Sequence, residues 1–117
     1  MATIRDLVNA IARREGVEAV IVLGRDGLVI DSRLADGWSA DDVAAHVPSI
    51  LTAADELGTV AGLENVATAV LEYPRGLAIV STLSSEAVLL VFAQPNPNLG
   101  QLLFELRRNR EHIAALV

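Results

Sequence analysis

Histidine, aspartate, serine and arginine are the side chains of this sequence with chemistry to offer, and their spacing decides what each is worth. His46 and His112 are the only histidines, and no cysteine accompanies them. Without regular ligand spacing they read as solvated helix residues rather than metal ligands. Asp41 and Asp42 stand together as paired acid–base carboxylates would. They also occupy the first turn of a predicted helix, where the macrodipole already favours acidic residues. Ser84-Ser85 has neither a nucleophile elbow nor triad partners, so it reads as turn chemistry. Gly24-Arg25-Asp26-Gly27 joins two strands instead of opening a helix, which excludes a phosphate loop. Arg107, Arg108 and Arg110 cluster in the last predicted helix, as a solvated face that offsets the C-terminal dipole or, alternatively, as a partner contact. Trp38, just before the second helix, reads as a packed loop anchor. With no lysine and no cysteine, the chain has no Schiff base, P-loop lysine, thiolate nucleophile or disulfide. No catalytic residue, cofactor site or metal site is expected.

The elements that must position these residues fit one domain spanning 1–117. The core is aliphatic: 52% of residues are hydrophobic but only four are aromatic. A mean hydropathy of +0.43 is high for so short a chain and points to a buried subunit interface. A net charge of −6 argues against nucleic acid and anionic membrane surfaces as partners. No apolar run approaches the roughly 20 residues of a membrane span, and MATIRDLVNA lacks a secretory apolar region, so a cytoplasmic location is expected.

Thr3 and Asp6 form a capping-box-like start to a helix that carries Ile4, Leu7, Val8 and Ile11 up to Arg14, with Gly16 ending it. Val17 to Leu23 is an almost entirely apolar strand, expected to be buried on both faces. A Gly24–Gly27 turn, with glycines for positive φ, joins it to the alternating strand Leu28 to Leu34. Ser39 and Asp42 cap a second helix. Its expected inward stripe is Val43, Val47, Ile50, Ala54 and Leu57, with a bend at Pro48 and an end at Gly58. Three strands follow, Asn65–Tyr73, Leu77–Leu83 and Ala87–Ala93, then a loop over residues 94–98. A last helix, capped by Asn98, carries Leu99 to Leu116. The fold class is α+β, in the order α-β-β-α-β-β-β-α. Its five-stranded, mainly antiparallel sheet has the first and fifth strands central, the second and third at the edges, and helices on both faces.

Two surfaces have no bland explanation. Ala45, Ser49, Thr52 and Glu56 share the outer side of the second helix and carry less charge than a solvated face does. The third strand is apolar on both faces between Glu64 and Glu72, an edge that invites pairing with its own copy about a two-fold axis.

The hairpin AVIVLGRDGLVIDS, the strand ATAVLEYPRG and the closing LLVFAQPNPNLGQLLFEL together resemble the roadblock / dynein light chain family, whose bacterial members include MglB. The resemblance implies dimers, homo- or heteromeric, built through the second helix and third strand so that two five-stranded sheets become one. On this chain that places the dimer interface at Ile50, Leu51 and Ala54 and at Val66, Ala67, Thr68, Ala69 and Val70. It further implies a non-enzymatic regulator or binding partner of a small Ras-like GTPase. If the second helices of both subunits flank the two-fold axis, Ala45, Ser49, Thr52 and Glu56 with their copies form one platform, which a GTPase would meet as a 2:1 complex. The alternatives are an adaptor or scaffold subunit without GTPase contact, and a small-molecule sensor, against which the aromatic-poor core argues.

Overall fold

The computed structural model describes residues 3–95 and 98–116. Helix α1 (Ile4–Ala12) opens on a complete capping box: the Thr3 hydroxyl accepts the Asp6 N–H, and the Asp6 carboxylate accepts the Thr3 N–H at 3.0 Å. The helix ends two residues earlier than its apolar spacing predicts, and Gly16, at φ 85°, turns the chain into β1 (Val17–Gly24). Arg25, Asp26 and Gly27 then form a three-residue hairpin loop into β2 (Val29–Arg33). Only Gly27 takes a positive φ, at 93°. Gly24, expected to share that role, is instead the last residue of β1, where its N–H donates to the Leu28 carbonyl at 2.7 Å.

The second helix departs most from expectation. Instead of one bent rod it is two helices, α2 (Ala40–Ala44), capped by Ser39, and α3 (Val47–Val60). Pro48 lies in the first turn of α3, where a missing N–H costs nothing, so it starts a helix rather than kinking one. Beyond Val47 the inward face of α3 departs from the expected stripe. The inward residues are Ala44, Val47 and Leu51, whereas Leu57, expected in the stripe, is 72% exposed. Gly58 does not end the helix. It faces inward because the Glu64 carbonyl occupies the space a Cβ would need, and the helix runs on to Val60 before Gly62, at φ 75°, turns the chain.

Strands β3 (Thr68–Tyr73), β4 (Gly76–Thr82) and β5 (Ala87–Ala93) complete an antiparallel sheet in the order β2-β1-β5-β4-β3. The two most apolar strands are therefore adjacent, with β1, apolar but for the exposed Glu18, and β5 paired from Val17·Ala93 to Gly24·Ala87. Strand alternation divides the core. Val20, Val22, Ile79 and Val91 face α1, α4 (Leu99–Arg108) and α5 (Arg110–Ala114); Ile21, Leu23, Val80 and Leu90 face α2 and α3. The expected last helix is thus also two, divided at Asn109. Asn98 is the N-cap of α4 without a side-chain cap bond, and Asn96 and Pro97 of the preceding loop lie outside the described residues.

Candidate functional site

No group of three or more His, Asp or Glu among the described residues is placed to hold a metal ion, and none of their helices is long and apolar enough to cross a membrane. Asp41 and Asp42 are exposed in the first turn of α2; His46 is the exposed N-cap of α3 and His112 is exposed in α5. The Ser84 hydroxyl accepts the N–H groups of Glu86 and Ala87, a turn bond that engages it locally. Trp38 packs edge-on against Phe92, centroids 4.9 Å apart, so the loop before α2 is anchored to β5.

The surface that invites a partner runs along β3 and α3. Strand β3 is the last in the sheet, and its outer edge has no neighbour among the described residues. Within Thr68–Tyr73, Glu72 is the only charge; Val70 is 41% and Tyr73 53% exposed. Edge strands are ordinarily blunted by charge, proline or covering loops, and within Thr68–Tyr73 Glu72 near the far end is the only such group. On α3, Ser49, Thr52 and Glu56 are exposed on one side, with Ala45 exposed at the α2–α3 junction above them. All four platform residues are therefore accessible, but only three share a helix.

The expected dimer residues separate into three sets. Ala67 and Val70 are exposed; Ile50, Ala54, Val66, Thr68 and Ala69 are half-buried. Leu51 is 1% exposed beneath α3 and belongs to the core, so it is not available to a partner. The phase shift that buried Leu51 brought out Leu57, and Val60, one turn on, is 88% exposed; sequence reasoning placed neither on the surface. No local sequence signal marked either, because the inward seats of Asp55 and Gly58 are set by the Val66 N–H and the Glu64 carbonyl.

Between α2–α3 and the β3 side of the sheet lies an open groove of about 250 Å³. Val43, Ile50, Leu71 and Phe92 line it, with His46 and Tyr73 as its polar groups.

Two charged side chains hold the start of β3. From α3, one Asp55 oxygen accepts the Val66 N–H at 2.8 Å, while the other pairs with Arg25 of the β1–β2 loop. From the opposite face, Arg110 is not part of a solvated arginine face. Its Nη2 donates to Thr68 Oγ1 at 2.6 Å, Ser81 Oγ at 3.3 Å and the Ala67 carbonyl at 3.4 Å. Arg107 and Arg108 remain exposed.

Residues 3–93 match the Roadblock/LC7 domain family. An uncharacterised protein of Methanocaldococcus jannaschii is 29% identical over 104 residues, covering 89% of this chain and 87% of its own length. The Roadblock/LC7 domain from Streptomyces avermitilis superposes with a TM-score of 0.85 at 23% identity, covering 97% of both chains. MglB of Myxococcus xanthus superposes with a TM-score of 0.87 at 14% identity, covering 97% of this chain and 93% of that one. At those identities the two structures establish the fold, and the family match establishes kinship. The chain belongs to the Roadblock/LC7 domain family.

Proposed function

We propose that this protein is a cytoplasmic, homodimeric roadblock module that binds and regulates a small Ras-like GTPase without catalytic chemistry of its own. The observation that carries the dimer is the outer edge of β3, nearly uncharged and unpaired among the described residues; Leu57 and Val60 of α3 are also exposed. Pairing β3 with its copy about a two-fold axis would satisfy the free backbone groups and join two five-stranded sheets into one. The exposed parts of Ile50, Ala54 and Val70 would add apolar area toward the roughly 800 Å² per partner of a standard interface.

The GTPase part rests on family membership, supported by the likeness to the MglB fold. Ser49, Thr52 and Glu56, with Ala45 at the junction, supply an accessible contact surface of small and weakly polar side chains. Two copies of that surface flanking one axis would form a single composite platform for one GTPase.

A pull-down from the native complement with the full chain as bait, followed by partner sequencing, tests this. A specific partner bearing G-x-x-x-x-G-K-[ST] is the expected result. Recovery of non-GTPase subunits alone would replace the regulator with an adaptor.

A further inference from the structure

Strand β3 begins where two charged side chains from opposite sheet faces meet it: Asp55 of α3 holds Val66, and Arg110 of α5 holds Ala67 and Thr68. The Arg110 contact is the more telling one. Thr68·Ser81 is the first register pair of β3 and β4, and Arg110 Nη2 donates to the hydroxyls of both partners. It also reaches the Ala67 carbonyl, which already accepts the Thr82 N–H at 2.9 Å. One cation therefore staples the edge strand to its neighbour β4 at the point where fraying would start.

We propose that Arg110 is a positioning residue for self-association: α5 acts as a strap that keeps the edge of β3 straight and ready to pair. The proposal rests on the dimer reading above. Both copies of β3 must be competent to pair, so apparent affinity falls with the square of the competent fraction, and releasing the strap to leave about one strand in three in register weakens the dimer about tenfold. A single nitrogen makes all three contacts, and the buried Nε has no hydrogen-bond partner among the described residues. A lysine ammonium can therefore replace the guanidinium here, which is unusual for an arginine site.

The test combines hydrogen exchange with sedimentation equilibrium on the full chain, comparing wild type, Arg110→Ala, Arg110→Lys and Val70→Arg. Arg110→Ala should speed exchange at the start of β3 and its β4 partners while β1 and β5 stay protected. It should also raise the dimer dissociation constant about tenfold, with Arg110→Lys restoring most of both. Exchange at β3 unchanged in Arg110→Ala would overturn the strap. Faster exchange with unchanged dimerisation would overturn its link to association. Loss of protection across β1 and β5 would make Arg110 a general stabiliser and overturn the positioning role. A monomeric wild type would refute the dimer reading and with it the link, while exchange would still decide whether the strap exists.

Discussion

Asp55 accepts the backbone N–H of Val66 at 2.8 Å, and its second oxygen pairs with Arg25. One carboxylate thus ties α3 both to the β1–β2 loop and to the lead-in of the edge strand. Asp55 is only 20% exposed at its side chain and Arg25 only 29%, so removing one partner strands a charge that water reaches poorly. Asp55→Ala is expected to lower stability by about 1–3 kcal/mol, read by urea denaturation. Asp55→Asn should recover part of that, since the amide oxygen still accepts the Val66 N–H. Equal losses in both variants would show that the charge alone matters.

Gly58 reverses a familiar rule. Alanine in place of glycine within a helix ordinarily stabilises by about 0.5–1 kcal/mol. Here the added methyl meets the Glu64 carbonyl. Gly58→Ala is therefore expected to destabilise by about 1–3 kcal/mol, as overpacking does, in a thermal melt. A raised melting temperature would contradict the packing of α3 against the Glu64 turn.

Glu64 itself sits at φ 66°, a left-handed conformation that a side chain disfavours by about 1–2 kcal/mol. Glu64→Gly should relieve that strain and, after the entropy gained by the unfolded chain, hold or slightly raise the melting temperature. A clear fall would mean the Glu64 side chain contributes something its exposure does not indicate.

Much of this fold is written locally. The capping box at Thr3, the Ser39 cap, the apolar runs of β1 and β5 and the hairpin loop before β2 each depend on residues close in sequence, so pattern reasoning finds them. The pairing of β1 with β5 follows because only the sheet centre can cover two such strands. The phase of α3 was not legible. Hydropathy puts Leu57 inside, but the inward seats go to Asp55 and Gly58, for a hydrogen bond to Val66 and for the Glu64 carbonyl. That choice depends on a turn the helix has yet to meet. Arg110 was hidden for the same reason: its partners lie about 30 to 40 residues away, at Ser81 and Thr68. The third strand starts at Thr68 rather than Asn65 because the Val66 N–H is taken by a side chain instead of a strand.

Val70 is the edge residue whose replacement should speak most clearly. It pairs with Ile79 inside the sheet and is 41% exposed. Val70→Arg adds a charge at the edge without entering the core, so it should yield a folded monomer, whereas wild type is expected to sediment as a dimer at micromolar concentration. A monomeric wild type, or a variant that still dimerises, would move the interface off β3.

The most direct test is the mass, by light scattering, of the protein mixed with the Ras-like GTPase proposed as its partner, loaded either with GDP or with a non-hydrolysable GTP analogue. A regulator must bind the two nucleotide states with different affinity, because equal affinity shifts no equilibrium. The expected result is a complex of two of these chains with one GTPase, favoured by the GTP analogue. Ser49→Arg should weaken it by putting a bulky charge on the exposed side of α3 while the dimer stays intact. A mass of two chains with two GTPases, or equal binding in both nucleotide states, would contradict it.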